Sequence, residues 1–155
     1  MALIHREHPA RFAAFAAALG GQARQNLRGE RQLRVPNPRG RVELDFRYSG
    51  GDADQVGDRF TRVALVLDAD GLPGERHRLA EGTGDARLTN AARAEIAALR
   101  AAFGARARVH LEGRRRPQSV EVWLPAWLAD GDAARRAVTL ALPHLEALAS
   151  APWSA

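Results

Sequence analysis

The chain has 155 residues, room for one domain, and 46% of them are hydrophobic, enough for a packed core. It contains no Cys, which excludes disulfides, thiolate metal sites and a cysteine nucleophile. The formal net charge is +5 and every basic side chain is Arg; the sum is about +6 over residues 1–41, −4 over 42–90 and +3 over 91–155. An all-Arg, Ala-rich composition points to coding bias, so the basic pI alone is weak evidence for a nucleic-acid partner. No stretch approaches the roughly 20 apolar residues of a membrane helix. Met1 to Arg11 mixes charge, His and Pro and does not read as a signal peptide, so a cytoplasmic location is expected.

Pro9 suits the first turn of an opening helix, because its missing N–H would be unpaired there anyway. Phe12, Phe15, Ala16 and Leu19 carry the apolar stripe of that helix. Gly20-Gly21 ends or interrupts it, and Gln22 to Leu27 is read as a further turn or two. From Gln32 the period becomes two. Leu33 and Val35 form a strand, and Pro36 to Gly40 reads as a turn. Val42, Leu44, Phe46 and Tyr48 alternate strictly with polar neighbours, as in a half-buried strand. A Gly/Asp loop over residues 49–57 precedes a third strand, Phe60 to Leu67, with Val63, Leu65 and Leu67 inward. Short turns between these strands make an antiparallel meander the economical topology.

Asp68 to Gly84 reads as a long irregular connection. Thr89 or Asn90 caps a middle helix with Ala92, Ile96, Leu99 and Phe103 along one side, and Gly104 stands where a helix commonly ends. Val109 and Leu111 mark a fourth strand, Glu112 to Gln118 a turn, and Val120, Val122 and Leu124 a fifth. Asp130 opens a final helix bearing Val138, Leu142, Leu145 and Leu148, in which Pro143 removes one backbone donor. The expected order is α-β-β-β-α-β-β-α. This is an α+β domain over 1–155, with three helices against an antiparallel five-stranded sheet.

The chemistry-bearing residue types do not assemble into a catalytic pattern. Asp68-Ala69-Asp70-Gly71 resembles a calcium loop, but Val66 and His77 stand where acidic ligands are required, so a turn is the better reading. Gly82-Thr83-Gly84 lacks the rest of a phosphate loop. His5, His8, His77, His110 and His144 show no close metal spacing. No Ser sits in a nucleophile elbow. The loop acids Asp52, Asp54, Asp58, Asp68 and Asp70 read as solvated turn residues before they read as a carboxylate site. We therefore expect no enzyme, no cofactor and no metal.

Arg114-Arg115-Arg116 reads as a solvated turn, so the better candidates for an anionic partner are Arg24, Arg28, Arg31, Arg34, Arg39 and Arg41. Trp123 is out of phase with Val122 and Leu124, which puts it on the second face of the sheet. There it serves as core, dimer contact or partner anchor.

The element order, from the Phe12–Gly20 helix into Val42-Glu43-Leu44-Asp45-Phe46, resembles the type III secretion chaperone fold and the YbjN-like proteins that share it. The net basic charge and the long loop before Asn90 turn the resemblance toward the YbjN-like branch. It implies a small homodimer that acts as a protein-binding adaptor or chaperone-like regulator. It also implies a dimer or partner interface in the region of Leu99, Phe103, Val109, Leu111, Val120, Val122 and Trp123. The alternative is a nucleic-acid-associated protein that binds DNA, RNA or a nucleic-acid-handling partner through the Arg-rich N-terminal region.

Overall fold

The structure is a computed structural model and describes residues 17–25, 31–48, 59–67, 78–113, 119–124, 131–150 and 152–154. Among the described residues, seven strands form one antiparallel sheet: β1 (Gln22–Gln25), β2 (Arg31–Asn37), β3 (Gly40–Tyr48), β4 (Arg59–Leu67), β5 (Leu79–Glu81), β6 (Arg108–Glu112) and β7 (Ser119–Leu124). Their spatial order is β1-β2-β3-β4-β7-β6-β5. Helical residues occur at 17–19, in α1 (Asn90–Phe103) and in α2 (Gly131–Ser150), with a 3-10 turn at Gly82–Gly84.

Alternation along the strands separates two faces. One row in register reads Val35, Val42, Leu65, Val120, Leu111 and Ala80 across six strands. A second reads Leu33, Leu44, Val63, Val122 and Val109. Both rows join Ala92, Ile96 and Leu99 of α1 and Ala137, Ala141, Leu145 and Leu148 of α2 in one core. Period two on the sheet and period 3.6 on the helices thus meet at a single apolar layer. The α+β class and the antiparallel sheet follow from this layer.

Local chemistry sets the element ends. Thr89 caps α1, its side chain accepting from the Ala92 N–H at 3.1 Å, and Gly104 closes it at a φ of 102°. In the β2–β3 hairpin the Asn37 Oδ1 accepts from Arg39 N at 3.0 Å. Arg39 then reaches over to the end of α2, where its Nη1 lies 3.1 Å from both the Glu146 carbonyl and Ser150 Oγ. This Arg thus fastens the hairpin to the last turn of the helix. The chain end returns to the start of α1. Leu88 bridges Trp153, and the Thr89 N–H donates to the Pro152 carbonyl at 2.9 Å.

Among the described residues the sheet has seven strands where five were expected. Gln22 to Gln25 is strand and not a continuing helix, because at this point the chain turns at Gly20 (φ 62°) and pairs with β2. Backbone pairing along an available strand outweighs the helical preference of so few residues. Leu79–Glu81 pairs with β6 inside what reads as an irregular connection; three residues are too few to display alternation. Pro9, Phe12, Phe15, Leu27, Arg28, Asp68-Gly71, Arg114-Arg116, Trp127 and Asp130 lie outside the described residues, as do Asp52, Asp54, Asp58, His5, His8 and His77.

Gly21 lets β1 close on β2. A Cβ there would sit 2.6 Å from the Arg34 carbonyl oxygen and 2.9 Å from Val35 Cγ2. Gly21→Ala is expected to cost about 2 kcal/mol in urea unfolding. Gly84→Ala, whose Cβ meets nothing within 4 Å, should stay within about 0.5 kcal/mol of the parent.

Candidate functional site

The sheet face away from the helices carries a polar row with one residue from every strand: Gln22, Arg34, Glu43, Ala64, Glu121, His110 and Glu81. Glu43 is the buried charged residue among those described, at 6% exposure. Burial of a carboxylate requires cations close by. The Arg41 Nε donates to Glu43 Oε1 at 3.0 Å. Arg34 Nε lies 3.0 Å from the same oxygen as a charge contact without hydrogen-bond alignment. Arg62 Nη2 stands 3.7 Å from Oε2. The Arg62 Nη1 also donates to Glu121 Oε1 at 2.8 Å, and Glu121 Oε2 accepts from the Trp123 indole at 3.1 Å. The guanidinium of Arg62 lies 5.9 Å from the Trp123 ring centre, and His110 meets that ring edge-on at 6.2 Å. Both oxygens of Glu43 face cations, so this carboxylate is engaged as a hub.

On the helical side, α1 and α2 border a groove at one end of their seam. Ala102 and Phe103 of α1 face Ala137, Thr139 and Leu140 of α2 across a mainly apolar groove of about 510 Å³, with Arg135 and Arg136 also lining it. Leu140 is 51% exposed and Phe103 is partly buried. Farther along the seam the helices are joined by the His144 Nδ1 to Glu95 Oε2 contact at 2.6 Å.

The interface residues expected from sequence fall in two groups. Leu99, Val109, Leu111, Val120 and Val122 are fully buried in the core of the single chain. Phe103 reaches the groove and Trp123 lies half-buried on the opposite face. Of the Arg set, Arg34 and Arg41 converge on Glu43, while Arg39 binds the end of α2. Arg24 and Arg31 lie on β1 and β2, and Arg28 is outside the described residues. Leu140, Arg135 and Arg136 escaped the sequence reading. The available signal was an apolar Leu140 lying off the Val138, Leu142, Leu145, Leu148 stripe and four residues after Arg136.

Among the described residues, no helix is long and apolar enough to cross a membrane, and no group of three His, Asp or Glu could hold a metal. No family model matches the chain, and no curated protein or solved structure matches it either.

Among the described residues, Asp85 and His110 link stability to pH. The Arg87 guanidinium bonded to Asp85 lowers its carboxyl to about 2, with the Arg87 backbone N–H helping and burial opposing. Burial lowers the pKa of His110, opposed by Glu81 and Glu121. A depressed folded pKa means that the unfolded chain binds more protons as pH falls. The His110 contribution is therefore full above its ordinary value of 6.5 and declines below it. That of Asp85 is full above its ordinary 3.8 and is lost toward pH 2. Unfolding of Asp85→Asn should show a deficit of about 1 kcal/mol at pH 7, reduced by solvent screening, that closes by pH 2. His110→Gln should flatten the stability profile just below pH 6.5 and leave the acid limb unchanged.

Proposed function

We propose that this chain is a non-enzymatic protein-binding adaptor whose α1–α2 groove receives a partner segment with apolar residues flanked by acidic ones. The observation that carries the reading is the exposed Leu140 beside Phe103, an apolar strip bordered by Arg135 and Arg136. An exposed Leu next to an aromatic gains by covering, and the arginines select negative flanks. Arg136 is exposed on α2, while Arg135 pairs with Asp132 at 3.1 Å, which a partner carboxylate would replace. The resemblance to chaperone-like adaptors points the same way.

The experiment is capture by tagged protein from nuclease-treated lysate of the source cells, comparing the parent with Leu140→Glu and Arg136→Glu. Both positions are exposed, so each variant should unfold within about 0.5 kcal/mol of the parent. The expected result is a discrete partner held by the parent and weakened about tenfold or more by each variant. Equal capture by all three forms would overturn the groove. Recovery by the parent that disappears with nuclease would favour the nucleic-acid reading instead. A dimeric mass in light scattering that Leu140→Glu converts to monomer would place a second copy in the groove.

A further inference from the structure

Both walls of the α1–α2 groove are helix: Ala102 and Phe103 end α1, and the lining residues between 135 and 140 belong to α2. Inside a helix the backbone N–H and C=O groups bond to one another, so these walls offer no row of free donors to a strand. An extended segment laid in a mainly apolar groove would leave its own backbone groups unpaired. A helix pairs them internally and presents only side chains. The described strand edges, at β1 and β5, lie on the sheet and do not line this groove.

The side chains around the groove fit the same shape. Every exposed position of α1 after Asn90 is Ala, which lets a further helix approach closely. Leu140 is the exposed large apolar side chain of α2. Arg136 precedes it by one helical turn, so the two share a side of α2 with Cβ atoms about 6 Å apart. Among the described residues Arg136 has no ion-pair or hydrogen-bond partner, while Arg135 is engaged by Asp132 at 3.1 Å. The open guanidinium is therefore placed one turn from the open Leu.

Resting on the adaptor reading of this groove, we propose that its occupant is an amphipathic helix of a partner protein, with an apolar and an acidic residue three or four positions apart. Laid along α2, the apolar residue covers Leu140 and Phe103 and the acidic one meets Arg136. A spacing of two would carry the acid to the far side of the partner helix.

The probes are three synthetic peptides of about 15 residues, or four helical turns. The first carries Leu and Glu four positions apart along one face. The second has the same composition with each Glu two positions from its Leu, and the third is the first with a central Pro. Each is titrated into the ¹⁵N-labelled full chain and followed by circular dichroism. The expected result is saturable shifts of the Ala102, Phe103, Thr139 and Leu140 amides with the first peptide, a gain of helicity on binding, and affinity about tenfold above the other two. Arg136→Gln should erase the advantage of the first spacing over the second. Equal binding of the three peptides, or no saturable binding of the first at these amides, would overturn the partner helix. The adaptor reading survives that result if a partner from lysate still depends on Leu140, and fails separately if Leu140→Glu and Arg136→Glu capture as the parent does. A parent dimer that excludes the first peptide and is dissociated by Leu140→Glu would give the groove to a second copy and also overturn the partner helix.

Discussion

A carboxylate shut off from water on the face of a sheet has to be paired, and Glu43 satisfies that demand by drawing together three arginines from three strands. Arg34 comes from β2, Arg41 from β3 and Arg62 from β4, so the pairing fixes the mutual register of these strands. A slip of one residue would turn Glu43 into the apolar core and Val42 or Leu44 out of it. Through Arg62 the network extends to Glu121 and Trp123 of β7, across the join between the β1–β4 meander and the β5–β7 half. Side chains on this face thus link the sheet's two halves across β4 and β7.

The opposite face does the burying. Two in-register rows of branched aliphatic residues meet the Ala- and Leu-rich sides of α1 and α2. Small alanines at 92, 137 and 141 let the helices sit close to the sheet. With Arg39 fastened to the end of α2 and Trp153 bridging Leu88, both helix ends nearest the sheet are restrained. The other end of the helix pair, around Phe103 and Leu140, is where the seam opens.

Much of this fold was legible in the residues. Strict alternation at Val42, Leu44, Val120, Val122 and Leu124, and the cap signals Thr89 and Gly104, each correspond to an observed element. The edge strands were illegible, because Gln22–Gln25 and Leu79–Glu81 carry no alternating apolar signal and exist by pairing with a neighbour. The site was less legible than the fold. Periodicity says that Val109, Val120 and Val122 are apolar and alternate, which marks a core row and a partner surface equally well; only the packing of α1 and α2 over them decides between the two. Likewise the count of N-terminal arginines is visible in the sequence. That Arg34 and Arg41 share Glu43 while Arg39 leaves for α2 depends on the hairpin's placement in three dimensions.

Glu43 is the hub of the sheet, and urea unfolding of Glu43→Gln at neutral pH tests this most directly. Gln keeps the shape but removes the charge, leaving Arg34, Arg41 and Arg62 facing one another without their shared anion. The predicted result is a loss of about 2 to 3 kcal/mol with an unchanged denaturant slope. A variant within about 0.5 kcal/mol of the parent would contradict the claim and reduce the arginine cluster to a surface feature.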